Sequence, residues 1–236
     1  MTKRLNELRK KIKTLASPEV SKTMRWFFKT GTGEYGEGDV FVGLKVPTQR
    51  KLAREFKDLS FDDLTVLLDS PVHEERLISL FILVDKFAKS EEKEQQVIFE
   101  FYIKNRKAIN NWDLVDLSAP KILGKYLLEK DKSLLLKFAV SKNLWERRIA
   151  ILSTYEFIRN ENYDITLKIA VILLEDNHDL IHKAVGWMLR EIGKRDLKTE
   201  ENFLKIHYKK MPRTMLRYAI EKFPETKRKK YLQEKI

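Results

Sequence analysis

Five residues at a near-constant spacing constrain this chain more than any compositional figure. Arg76, Asp113, Arg148, Lys183 and Arg217 each stand near the opening of an apolar helical stretch, and their separations are 37, 35, 35 and 34 residues. A period of that size, with room for two helices per unit, is the signature of stacked helical hairpins that bury their apolar faces against one another. Apolar residues recur at helical spacing throughout, as in "LISLFILVDKFAKS" (77–90), "LWERRIAILSTYEFI" (144–158) and "LIHKAVGWMLREIGK" (180–194). The pattern predicts an all-α fold, a HEAT-like α-solenoid of antiparallel helical pairs, running through residues 1–236 as a single repeat domain.

Proline and glycine supply the punctuation. Pro18, Pro47, Pro71, Pro212 and Pro224 fall at expected helix starts, where a missing N–H costs nothing. Pro120 lies inside a continuing apolar pattern and is expected to kink that helix or to separate two short ones. The segment "FKTGTGEYGEGDVFVGLKVP" (28–47) holds five of the eight glycines and excludes helix. Its run "DVFVGLKV" beside a glycine-rich turn predicts a β-hairpin or an ordered loop inserted near residues 30–45. It contains neither GxxxxGK[ST] nor a GxGxxG placed between a strand and a helix, so a nucleotide-phosphate cradle is not expected.

Lys and Arg exceed Asp and Glu by 47 − 35 = 12, a balance that raises the local concentration of polyanions and makes nucleic acid the first partner to consider. In a solenoid, residues at one phase of the repeat share a wall. Arg76, Arg148, Lys183 and Arg217 are therefore expected to form a basic row on a concave face, holding phosphates without sequence preference. The absence of cysteine excludes disulfides, thiolate metal sites and a cysteine nucleophile. The first 25 residues lack the apolar run of a signal peptide, and no later stretch reaches the roughly 18 apolar residues of a membrane span. A cytoplasmic protein that does not engage membranes is expected.

Few residues are candidates for chemistry. His73, His178, His182 and His207 form no HExxH or other metal-ligand pattern, and "EDNHDL" reads as a loop and cap that leaves His178 outside the helix, so no metal site is expected. Ser118 has no neighbouring base and reads as structural. What remains is Trp112, Asp113, Asp116, Trp145, Arg148 and Trp187. Trp112 and Asp116 are four apart and share a helical face. Trp145 and Asp113 read as structural, Asp113 as a cap, whereas Asp116 lies too far into its helix to cap it.

Three segments, "NNWDLVDLSAP" (110–120), "NLWERRIAIL" (143–152) and "LIHKAVGWMLRE" (180–191), taken in order and at this spacing, resemble the HEAT-like repeat alkylpurine DNA glycosylases of the AlkD type. The resemblance covers nearly the whole chain. It implies that Asp116 is the catalytic carboxylate, that Trp112 and Trp187 embrace the sugar backbone at the lesion, and that Arg148 binds phosphate. Lys183, Arg76, Arg217 and Arg190 are expected to add DNA contacts, with Phe27 as an aromatic of the first helical pair and Tyr35 in the glycine-rich insertion.

The implied activity is hydrolysis of the N-glycosidic bond of cationic N3- or N7-alkylpurines, without base flipping and without a cofactor, by a monomer acting on double-stranded, alkylated DNA. The chain departs from the family pattern at Asp179 and Leu180, where aromatics are usual, and in the glycine-rich insertion. Relatives with a hairpin insertion bind branched DNA without cleaving it, which makes a non-catalytic binder of branched or damaged DNA the alternative.

Overall fold

The computed structural model describes residues 2–236, which form two compact units that divide between Ser118 and Ala119. In the first, α1 (Lys3–Leu15) begins where the Thr2 hydroxyl accepts the Leu5 N–H at 3.2 Å, and it buries Leu5, Leu8 and Ile12 along one stripe. Helix α2 (Pro18–Phe27) starts from Ser17 with its proline in the first turn. There follow α3 (Val46–Glu55), α4 (Phe61–Leu68), α5 (His73–Lys89), α6 (Glu92–Lys104), a 3-10 turn (Arg106–Ala108) and α7 (Trp112–Ala119). Every residue of α5 from His73 to Leu83 is buried. Helices α3, α4 and α6 pack around α5, which makes it the axis of this unit.

In the second unit Pro120 opens a π-helical turn (Pro120–Gly124) that leads into α8 (Lys125–Leu127), the local break expected of a proline in an apolar run. Helices α9 (Ser133–Ala139), α10 (Leu144–Arg159), α11 (Asp164–Ile172), α12 (Asp179–Gly193), α13 (Leu197–His207), α14 (Arg213–Ala219) and α15 (Glu225–Leu232) follow. Helix α10 packs on the π turn, α9, α11 and α12, and α12 packs on α13 and α14. Gly186 permits the last crossing: a Cβ there would lie 2.4 Å from the Met215 carbonyl oxygen. The repeat is thus physical, since its markers fall on α5, α7, α10, α12 and α14, every second major helix, at the fifth residue of the last three.

The inserted segment is a loop. Among the described residues no strand forms, and only one parallel bridge, Val40 with Val72, is present. "DVFVGLKV" does not fold on itself because its polar groups are satisfied elsewhere. The Val40 N–H reaches the Pro71 carbonyl at 3.0 Å, the Val42 carbonyl accepts from Ser17 at 3.0 Å, and the Ser21 hydroxyl donates to the Phe41 carbonyl at 2.6 Å. Phe41 and Leu44 are buried, and Gly43, at φ +90°, passes so close to α2 that a Cβ would stand 2.1 Å from the Ser17 carbonyl oxygen. Among the described residues no helix is long and apolar enough to cross a membrane.

Candidate functional site

The sequence "HEER" (73–76) opens α5 just before the stretch Leu77–Leu83, which is buried on every side, so its charged groups are carried inward and must find partners there. They find three separate segments of the first unit. The two ring nitrogens of His73 lie 3.0 Å from Asp39 Oδ2 and 2.9 Å from Asp113 Oδ2. The Glu74 carboxylate accepts the N–H groups of Val42, Gly43 and Leu44 at 3.1, 2.8 and 3.2 Å. Glu75 pairs with Arg9 of α1 at 2.8 Å. Arg76 donates to Asp39 and to the Asn110 side chain, and Asn111 donates to Asp39 at 2.9 Å.

Burial pulls the His73 imidazole down, but the charges and hydrogen bonds of Asp113 and Asp39 outweigh it and raise its pKa to about 9. Burial pushes the Asp39 carboxyl up, yet His73, Arg76 and Asn111 together hold it below the usual carboxylate value. At neutral pH the centre is an imidazolium between two carboxylates. Both nitrogens then carry protons, so no lone pair is left for a metal.

Helix α7 stands on this base. Asn111 accepts the Trp112 N–H and Asp113 the Leu114 N–H, each at 2.8 Å, so both side chains satisfy backbone donors of the first turn. Asp113 is also buried beneath His73, so beyond its first-turn hydrogen bond it serves as a counter-charge to the imidazole. Trp112 and Asp116, one turn apart, are half-buried on the open side of α7, while Asp113, Leu114 and Val115 are buried. The Trp112 ring stacks on Phe28 with centroids 5.1 Å apart and planes at 9°, and Phe27 meets it edge-on at 5.8 Å. Phe28 stacks on Phe41 at 4.9 Å and Phe41 on His73 at 4.5 Å, so the indole heads an aromatic pile that ends on the imidazolium. Asp116 lies close enough to Tyr102 for its charge to add to burial in raising that phenol, which shares a 2.9 Å hydrogen bond with Ser118.

In the second unit Trp187, half-buried on α12, donates its indole N–H to Glu191 at 3.1 Å and has Tyr155 at 6.2 Å. Arg190 pairs with Glu221, and Lys183 with Asp179 at 2.7 Å. His178 caps α12, accepting the Leu180 N–H at 3.1 Å. The basic row differs from the expected four solvent-facing cations. Arg217 is exposed and Lys183 partly so, but Arg76 and Arg148 retain only 4% and 5% of their surface. Arg148 donates to the Leu180 carbonyl at 2.6 Å. Equal phase in the repeat fixed where these residues sit along their helices and not how much water they see. Phe27 is exposed, and Tyr35 is half-buried in the loop.

Residues 8–223 match the family model described as DNA alkylation repair enzyme. The chain belongs to the DNA alkylation repair enzyme family. A solved structure, "Predicted DNA alkylation repair enzyme from Enterococcus faecalis", is similar to it with a TM-score of 0.69 and 17% identity, covering 89% of this chain and 97% of that one. At that identity the likeness speaks for the fold, and the all-α, solenoid-like architecture expected from the repeat is the one this family member has. A search of curated proteins finds no match. For a DNA alkylation repair protein DNA is the implied substrate, and α7 of this family member carries its half-buried carboxylate and indole on a base of buried charges that sequence patterns did not reveal. The signal for that base was present in "HEER", four polar residues directly preceding the almost wholly apolar run "LISLFILV".

Proposed function

We propose that the chain is a monofunctional alkylpurine DNA glycosylase, binding double-stranded DNA as a monomer in the cytoplasm and needing no metal or cofactor. The observation that carries this reading is the open stripe of α7: Trp112, Asp116 and Leu117 are half-buried while the other five residues of the helix are buried, and Trp112 is braced from behind by Phe28. Alkylation at N3 or N7 gives the purine a positive charge. When the C1′–N bond breaks, the base leaves with the bonding electrons and becomes neutral, and the charge moves to the sugar as an oxocarbenium ion. Asp116 stabilises that cation and orients the water that adds to C1′, whose proton passes to the carboxylate and then to solvent.

Trp112 packs on the sugar, its π face favouring the developing charge, and Trp187, its indole fixed by Glu191, serves as the second aromatic. No flipping of the base is needed when the reacting atom is on the sugar. Exposed Arg217 and Lys183 hold phosphates, with Arg190 and Phe27 at the margins. Arg148 and Arg76 act from within, Arg148 by holding the Leu180 carbonyl and Arg76 by fixing Asp39. The family match runs continuously from residue 8 to 223 and supports reading residues 1–236 as one functional domain.

The test is release of 7-methylguanine or 3-methyladenine from alkylated duplex DNA. Wild type releases base, and Asp116→Asn abolishes release while leaving DNA affinity equal or slightly higher, since one anion has gone. Base release equal in both proteins would remove Asp116 from the chemistry. The anchored loop at 30–44, with Tyr35 on it, favours a second reading, a non-catalytic binder of branched or damaged DNA. No release by wild type from any alkylated duplex, together with tight binding to branched DNA, would select it.

A further inference from the structure

The end of α2 carries the most exposed aromatic of the molecule, and neither the fold nor the glycosylase reading uses it. Trp26 retains 74% of its surface and the adjacent Phe27 54%, although burial of so large an apolar ring would be favourable. Cations surround it. Lys29 Nζ lies 5.6 Å from the Trp26 ring centroid, and Lys22, Arg25 and Lys29 line a shallow cleft of about 360 Å³ beside the indole. The one acid in that lining, Glu34, is turned onto the Gly31 N–H at 2.7 Å.

The backbone adds a second argument. Lys29 is held at φ +55°, the left-handed position after a helix end, with the Thr30 N–H closing onto the Arg25 carbonyl at 3.3 Å. Glycine is the usual residue there. A chain that places glycine at 31, 33, 36 and 38 accepts the cost of lysine at 29, and the gain is a cation beside the indole.

We propose that this end of α2 is a stacking platform for an unpaired nucleotide of DNA: Trp26 receives the face of the base, and Lys22, Arg25 and Lys29 receive its flanking phosphates. An indole face accepts any base, and the cations supply affinity along the backbone, so the surface selects unstacked DNA without reading sequence. The inference rests on the DNA-directed part of the proposed function and not on bond cleavage.

The experiment is a fluorescence-anisotropy titration, at one fixed salt concentration, of a labelled blunt duplex and of the same duplex carrying a single bulged nucleotide. Wild type binds the bulged duplex about ten-fold more tightly, the worth of one stacked base. Trp26→Ala loses that preference while its affinity for the blunt duplex stays within about two-fold, and Trp26→Phe keeps most of it. Lys29→Gly, which relaxes the backbone, melts at the same or a higher temperature yet binds the bulged duplex more weakly. No preference in wild type, or a Trp26→Ala protein that matches wild type on both duplexes or weakens equally on both, overturns the platform and leaves the glycosylase reading untouched. No binding to either duplex defeats both. Stronger binding of wild type to anionic lipid vesicles than to either DNA, lost in Trp26→Ala, would make the surface a membrane contact instead.

Discussion

Asp113 and Asp116 are the same side chain one helical turn apart, and the structure puts them to different uses. Asp116 is half-exposed beside Trp112, whereas Asp113 is buried against His73. Asp113→Asn therefore leaves an imidazolium short of a counter-charge, and we expect a loss of about 2 kcal/mol in urea unfolding, as for other buried hydrogen-bonded pairs. Base release per folded molecule should survive. His73 sets the alkaline limit of the first unit. Its pKa is raised from 6.5 to about 9, so its contribution is fully present below pH 6.5 and is lost as pH rises through about 9. That contribution is on the order of 3 kcal/mol. Melting temperature should fall between pH 7 and 10, and His73→Gln, less stable at pH 6, should flatten the fall. A profile of unchanged slope in the variant would show that His73 is not the titrating group.

Among elements, the glycine-rich loop shows what a sequence reveals and what it hides. Five glycines in "FKTGTGEYGEGDVFVGLKVP" exclude helix, and the helix start at Pro18, the cap at His178 and the break at Pro120 are local events that the sequence states directly. The loop's anchor was not legible, because Glu74 and Gly43 are 31 residues apart and no pattern of residue types joins them. The same holds for Asp39, His73 and Asp113, separated by 34 and 40 residues. Exposure within the basic row was hidden for a related reason: the fifth residue of a helix faces water or protein according to what packs there. The glycines themselves are unequal. Gly33 and Gly43 both have positive φ, but a Cβ at Gly33 meets nothing within 4 Å, whereas at Gly43 it overlaps the Ser17 carbonyl. Gly33→Ala should cost about 1 kcal/mol from the backbone alone. Gly43→Ala should cost clearly more, with faster hydrogen exchange at residues 42–44. Equal losses would mean that the loop yields at no cost.

Over the whole molecule the net charge of +12 makes DNA affinity steeply salt-dependent. Exposed Arg217 is expected to carry one phosphate contact, so Arg217→Ala should reduce the slope of log K against log salt by about 0.9. Buried Arg148 belongs to a different class, and Arg148→Ala should lower stability before it changes that slope. The hub at the start of α5 also bears on how the chain is made. A ribosome releases residues in order, and the charges of His73 and Arg76 emerge well before Asn110, Asn111 and Asp113, the groups that complete their pairing. For the time needed to add some forty residues, a few seconds at cellular rates, the nascent first half carries an axis helix whose cations lack part of their counter-charge. Its folding is thereby delayed until α7 is outside the tunnel, and the strip bearing Trp112 and Asp116 is the last piece of that half to be laid down.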